Sequence, residues 1–443
     1  MKREHLLTLL ILGALGLGVA AGQFFVHPMD ADLRRAWVAG LQSAGEITFL
    51  RPLFMLIVPL VFASVVSGIC AIGSPHRLGL VGGWTMVYFG GTTLLAVALG
   101  LVLVEWIQPG AGIALGDLEA AARSTYESDV AGRVAAAPES VGGAFMNLLR
   151  SLVPENPIKS AAERDVLGVC VFAILLGLAL VLTGEPAKPV IAFMDGLFQA
   201  LIRIVGWIMW LAPIGVLCIV AARVGASGLG ALAGPMGAYM ATVLLGLGLH
   251  VFVMLPLILF LFERTNPYRF LWDMRKVIVT AFSTSSSNAT LPVTIEECQR
   301  VGGCSKRATN FVTPLGSTIN MNGTALYEGV AVSFLFQIFN YDLGWQQQIL
   351  ILITATLAAA GAAGIPSAGL VTMAIVIGAV NSSLATVAPD AEPLPLWTIG
   401  IIYGVDRILD MCRTVNNVMG DAIGARLITR IAPDEAESDA PAA

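Results

Sequence analysis

Residues 406–421 read DRILDMCRTVNNVMGD. On a helix advancing about 100° per residue, Asp406, Asp410, Arg413, Asn417 and Asp421 fall within about 80° of one another, a single stripe about 22 Å long. The surrounding chain is strongly apolar, and a charge at mid-membrane costs about 2.5–3.5 kcal/mol, so four cost on the order of 10 kcal/mol before pairing. Pairing Arg413 with one Asp leaves two carboxylates over, and these call for cations or protons. The planar fork of Arg413 suits a carboxylate. Asp410, one turn earlier, suits an ammonium, and Thr414 and Asn417 add hydrogen bonds. A ligand with both charges and a second carboxylate, an acidic amino acid, satisfies this face. A purely structural network of ion pairs is the competing reading.

The elements that must hold this stripe are membrane spans. Of 443 residues, 56% are hydrophobic and 12% charged, about half the charge of an ordinary soluble domain, which excludes a soluble protein. The sequence predicts spans over 5–24, 49–73, 80–106, 165–184, 188–222 and 234–262, with the N-terminal apolar stretch read as a first helix and not as a cleaved signal. The acidic stretch GDLEAAARSTYESDVAGRVAAAPES is placed outside and the basic ERTNPYRFLWDMRK inside. A net charge of -5 without a long basic run argues against nucleic acid. The six cysteines are scattered among apolar neighbours, which fits packed thiols and not a disulfide or metal framework, and the four histidines are dispersed. Sequons at Asn288, Asn322 and Asn381 lie in or beside apolar stretches and are set aside.

After Lys276 the pattern changes. Residues 277–295 are uncharged but carry STSSSNATLP at their centre, which predicts a re-entrant hairpin with Ser285 to Ser287 at its tip, since non-helical backbone at membrane depth must be buried in protein or line a wet cavity. The span 308–340 is interrupted by NMNGT and has Glu328 as its lone formal charge. From Asp342 to Asp390 there is no charge between, and AAAGAAGIPSAGL predicts a second hairpin with its tip at Gly364 to Gly369. Residues 397–430 form the last span, and APDEAESDAPAA a disordered tail. Hairpin plus interrupted span, used twice from opposite sides, is the pattern of a secondary transporter with a midplane site, although no internal residue identity supports the repeat.

TSSSNATLPVT, NMNGTALYEG, GAAGIPSAG and DRILDMCRTVNNVMGD, in that order, resemble the first hairpin tip, the broken seventh helix, the second hairpin tip and the eighth helix of the glutamate transporter family, the dicarboxylate/amino acid:cation symporters. The resemblance runs over nearly the whole chain. It implies an all-α polytopic membrane protein of eight transmembrane helices plus two re-entrant helical hairpins arranged as inverted repeats, assembled as a homotrimer in the cell inner (plasma) membrane. Residues 1–76 would hold scaffold helices 1 and 2, 77–106 helix 3 of a transport domain, 107–222 the external loop and scaffold helices 4 and 5, 223–430 the rest of the transport domain, and 431–443 a cytoplasmic tail. The transport domain would slide across the lipid as an elevator, and family members also leak anions through a side pathway. No bound cofactor is implied beyond co-transported sodium, protons or both.

By motif position, the resemblance implies that Arg413 holds the side-chain carboxylate of an acidic amino acid and Asp410 its amino group. Thr414, Asn417, Ser286, Ser287, Thr324 and the backbone of Ile365, Pro366, Ser367, Ala368 and Gly369 would complete the pocket. Asp421 with carbonyls of Gly316, Asn320 and Asn417, and with Asp406 beside it, resembles a first sodium site. Ala359, Ala360, Ala362 and Thr318 resemble a second, and oxygen-only ligation suits sodium. Two departures stand out. The motif NMDGT of sodium-coupled members has Asn322 in place of its Asp, which removes the carboxylate of a third sodium site near Asn320, Thr92 and Thr93. Glu328 matches the acid that eukaryotic glutamate carriers are thought to protonate, so coupling to protons alone or with fewer sodium ions is open. An extra Arg that relatives carry at the first tip or on the eighth helix is replaced by Ser285 and Met411, and Arg407 lies about 100° from the start of the stripe.

Within the family, a C4-dicarboxylate carrier has no need of Asp410 and a neutral amino acid carrier no need of Arg413. A channel would show a continuous polar pore. An intramembrane serine protease would need a general base, and no His falls near the Ser cluster.

Overall fold

The computed structural model describes residues 2–113, 116–135, 140–228, 236–360, 368–387 and 392–434. Among these there is no strand, and the chain is a stack of apolar helices. The first part includes α1 (Lys2–Ala21), α2 (Ala31–Gly45), α3 (Arg51–Ile72), α4 (Pro75–Ile107), α5 (Val166–Thr183), α6 (Lys188–Met209), α7 (Ala212–Ser227), α8 (Gly237–Leu249) and α9 (Leu255–Glu263); the expected external loop between α4 and α5 also carries helices at Gly116–Thr125, Val141–Leu152 and Pro157–Glu163, and Pro267–Asp273 follows α9. The second comprises α10 (Arg275–Thr284), α11 (Ser287–Arg300), α12 (Lys306–Ile319), α13 (Asn322–Ile338), α14 (Trp345–Ala360), α15 (Ala368–Val387) and α16 (Ile399–Ile428). Single π-turns fuse α2 to α3 and α8 to α9, giving rods of 42 and 27 residues. Among the described residues, 7 helices are long and apolar enough to cross a membrane, so the chain is a multi-pass membrane protein.

Two features differ from the sequence reading. The span expected over 188–222 is two helices, because Pro213 at the start of α7 has no N–H to continue α6. The chain turns through Trp210 and Leu211, whose amides reach back to the Trp207 and Ile208 carbonyls at 3.2 and 2.9 Å. The division expected after residue 222 therefore falls inside α7, which runs to Ser227. Upstream, ADLRRAWVAGLQSAG forms α2 and extends the second span by more than 15 residues toward its N-terminus; its amphipathic, charged character had hidden it from a search for uncharged runs.

The apolar side chains form two clusters. One joins α1, α3, α5, α6 and α7 to the packed faces of α10, α11 and α12. The other joins α4, α8, α13, α14 and α15. The last helix belongs to both: Ile399 to Leu409 pack into the second cluster and Met411 to Ile428 into the first. Its polar stripe therefore lies where two apolar cores meet, out of water on either side.

The predicted break in the seventh span is present. α12 ends at Ile319, Asn320 and Met321 leave helical geometry with ψ of 69° and 53°, and α13 starts at Asn322. α10 and α11 are short helices joined by a tight turn in which Ser285 takes a left-handed φ of 50° and Ser286 caps α11 through the Ala289 amide at 3.2 Å. Away from the turn, buried Lys276 of α10 meets Glu297 of α11 at 3.2 Å, and Arg300 meets the same carboxylate at 2.6 Å. α14 has 16 residues and α15 has 20; the expected second tip between them, including Ala362, Ile365, Pro366 and Ser367, lies outside the described residues.

Candidate functional site

The stripe on α16 is real and fully buried. Arg413, 1% exposed, sends Nη2 to Asp410 Oδ1 at 2.7 Å and lies 2.9 Å from Asp406 Oδ1. The contact to Asp406 is ionic without hydrogen-bond geometry, and neither oxygen of that carboxylate has a hydrogen bond among the described residues. One guanidinium is therefore shared by two carboxylates, where the sequence predicts one partner. Asp406 sits on Arg413, not beside Asp421. The guanidinium stacks on the Tyr327 ring with Cζ 3.8 Å from the centroid, and its Nε and Nη1 make no hydrogen bond among the described residues. Two buried donors are thus left over on a cation, each able to give one hydrogen bond to a ligand oxygen, while Nη2, with which either would form a fork, is already on the carboxylates. Gly369, in the first turn of α15, approaches so closely that a Cβ there would lie 3.1 Å from Arg413 Nη1 and 3.2 Å from Thr324 Cγ2. The Thr414 hydroxyl is turned onto the Asp410 carbonyl at 2.9 Å.

The broken seventh span crosses α16 one turn further on, and Asn417 joins the two. Its Oδ1 accepts the Gly323 amide at 2.7 Å and its Nδ2 donates to Thr324 Oγ1 at 3.2 Å. A Cβ on Gly323 would lie 2.6 Å from the Arg413 carbonyl oxygen, so only glycine allows this crossing. Asp421 accepts from Asn320 Nδ2 at 2.9 Å, and Gly316 packs directly on its carboxylate, a Cβ there falling 2.7 Å from Asp421 Cγ. Gly316, Asn320, Asn417 and Asp421 are thus gathered around the break. Asn320 Oδ1 is buried without a hydrogen-bond partner among the described residues, an oxygen left over for a cation.

Thr93 reaches Asn322 Oδ1 at 2.7 Å. Thr92 instead bonds the Tyr88 carbonyl of its own helix at 2.8 Å. Asn322 Nδ2 has no partner among the described residues. Glu328 is fully buried; Oε1 accepts from the Thr372 hydroxyl on α15, while Oε2 has no partner among the described residues. Ser286 and Ser287 are buried at the turn between α10 and α11, both of which pack on α16. Thr318 bonds the Leu315 carbonyl at 3.0 Å within α12, and Ala359 and Ala360 end α14. Ala368 and Gly369 open α15.

Three residues escaped the sequence reading. His250, buried in the π-turn between α8 and α9, pairs Nδ1 with Asn416 Oδ1 at 2.7 Å; a lone His in an apolar run gives no pattern to find it by. Tyr327 supplies the ring under Arg413. Arg223, half-buried on α7, which packs against α16, lies within electrostatic reach of Arg407, Asp410 and Asp406. A charge contributed by a separate helix leaves no trace in the spacing of the stripe.

Comparison with known proteins agrees in extent with this architecture. The profile described as Sodium:dicarboxylate symporter family matches residues 7–431. The chain is 37% identical to a protein named Neutral amino acid transporter B(0) from Bos taurus over 96% of its own length and 80% of the relative's. It is 35% identical to one named Excitatory amino acid transporter 3 from Homo sapiens, over 98% and 87%, and 34% identical to one named Excitatory amino acid transporter 1 from Ambystoma tigrinum, over 89% and 78%. These relatives are transporters and not enzymes. With its apolar spans and its buried stripe of charge, the chain belongs to the sodium:dicarboxylate symporter family.

Proposed function

We propose that the protein is a secondary active importer of an acidic amino acid, L-aspartate or L-glutamate, driven by sodium, protons or both. The observation that carries this reading is Arg413: a buried guanidinium with Nε and Nη1 unpaired among the described residues, held beside Asp410. Arg413 receives the side-chain carboxylate and Asp410 the ammonium, and Thr414, Asn417, Thr324, Ser286, Ser287 and the start of α15 close around them. Asp421, Gly316, Asn320 and Asn417 hold one sodium ion. Thr318 and the end of α14 at Ala359 and Ala360, with Ala362, hold a second. Asn322, Thr92, Thr93 and Asn320 form a weakened third site, and Glu328 carries a proton.

In this reading α10–α11 and α14–α15 are re-entrant hairpins in a fold of eight crossings, residues 77–106 and the part beyond Gly228 move as one transport domain, and the chain works as a homotrimer in the cell membrane. A neutral amino acid substrate is the second reading. It is favoured by the relatives named for neutral amino acids and by the two carboxylates already on Arg413, which outnumber its single positive charge and oppose a third.

The test is uptake of labelled aspartate, glutamate and serine into proteoliposomes under imposed sodium or proton gradients. Uptake of the acids, with serine a poor competitor, is the expected result. Serine uptake with no acidic uptake under either gradient establishes the second reading.

A further inference from the structure

The turn from α3 into α4, the N-terminal end of α12 and the chain leaving α16 enclose a cavity of about 470 Å³. Its floor is apolar, with Leu80 and Ile431 among the lining residues, while Arg77, Arg307 and Arg430 supply three positive charges against one acid, Asp434. That acid is already engaged: its Oδ2 caps α12 through the Lys306 amide at 3.0 Å. Arg307 is tied to the Pro433 carbonyl at 3.1 Å and Arg430 to the Phe262 carbonyl, so both guanidinium groups are held in place. The Arg77 guanidinium is exposed, and no hydrogen bond or ion pair fixes it to a described residue.

A second, separate observation concerns the surface leading away from this cavity. Leu80, Trp84 and Val87, at helical spacing on α4, are 48, 51 and 65% exposed and form an apolar track that runs from the basic mouth along a membrane-length helix. A fixed cationic head site joined to an apolar track matches one kind of molecule, an amphiphile with an anionic phosphate head and acyl chains. Arginines bind phosphate through paired N–H donors, and basic pockets between membrane helices on the cytoplasmic side bind lipid head groups. The topology derived from the basic loop at Arg264 and Arg269 puts Arg77, Arg307 and Arg430 on that side.

We propose that this cavity binds the head group of one anionic glycerophospholipid per chain, with its acyl chains laid along Leu80, Trp84 and Val87. The site is independent of the substrate reading above.

The full-length protein, purified in detergent, is incubated with labelled phosphatidylglycerol or phosphatidylcholine, and retained lipid is counted after detergent exchange. Wild type retains phosphatidylglycerol and not phosphatidylcholine. Arg77→Gln and Arg430→Gln each weaken retention about five-fold, and together more. Arg35→Gln, at an exposed pair on α2, changes nothing. Trp84→Ser weakens retention of the lipid, and glycerol 3-phosphate fails to displace it. Equal retention of the two lipids, or retention unchanged in both arginine variants, overturns the proposal. Displacement by glycerol 3-phosphate with Trp84→Ser silent assigns the cavity to a free anion instead. Binding that appears only after truncation behind Asp434 assigns it to the acidic tail.

Discussion

Replacing Arg413 separates the substrate readings. The guanidinium is 1% exposed, holds Asp410 at 2.7 Å and Asp406 at 2.9 Å, and stacks on Tyr327. In Arg413→Cys the two carboxylates lose their cation, and breaking a buried pair from one side costs about 3–5 kcal/mol. An acidic substrate loses a hydrogen bond to a charged group, about 1.5–3 kcal/mol, which converts to about 10- to 150-fold in affinity. Arg413→Lys keeps the charge and loses the fork, so its effect lies between the two. The assay is concentration-dependent uptake of labelled aspartate and serine into proteoliposomes, with thermal unfolding of each variant measured in parallel. The expected outcome is aspartate affinity falling by that factor in Arg413→Cys, less in Arg413→Lys, with serine transport retained or gained. Aspartate affinity within two-fold of wild type in a folded Arg413→Cys protein refutes the role given to this residue.

Three further outcomes follow from the geometry. Asn322→Asp places a carboxylate against Thr93 and close to Asn320; at an effective dielectric of about 20 a charge about 4 Å from a cation is worth about 4 kcal/mol, part of which offsets desolvation of the new carboxylate, so half-maximal uptake should need about ten-fold less sodium. Sodium titration of uptake checks this, and an unchanged requirement removes Asn322 from any cation site. Glu328→Gln retains an oxygen for the Thr372 hydroxyl but has no proton to exchange; uptake should stop responding to an imposed proton gradient while counterflow of substrate continues. Gly316→Ala drives a methyl group to 2.7 Å from Asp421 Cγ and 3.0 Å from Phe89 Cζ. This overpacking should lower stability by about 1–3 kcal/mol, and the rise in melting temperature expected of wild type on adding sodium should be absent from the variant, as read by thermal scans with and without sodium.

The stripe on α16, the break at Asn320 and Met321, and the serine turn between α10 and α11 were all legible because each violates a local rule: charge in an apolar span, or Asn, Gly and Ser where a lipid-facing helix would carry Leu. Such violations are local in sequence and survive without a structure. The double grip of Arg413 on Asp406 and Asp410 was not legible, since angular spacing shows which residues share a face but not how one side chain divides between two partners. Arg223 and His250 were missed because their partners lie on other helices. The end of α6 was missed because Pro213 sits in an otherwise continuous apolar run, where hydropathy is blind to a missing N–H. The meeting of the two apolar clusters at α16 depends on tertiary packing, and no single element announces it.

Asn417 carries a thermodynamic consequence. It stands between Arg413 and Asp421, four residues from each and so about 6 Å from each along the axis, and holds the restart of the seventh span by the Gly323 amide and the Thr324 hydroxyl. In the proposed reading, a cation held by Asp421 and Asn320 and an acid held by Arg413 would both act on this one joint. Their effects on one another must then be equal: by whatever factor sodium tightens the hold on the amino acid, the amino acid tightens the hold on sodium.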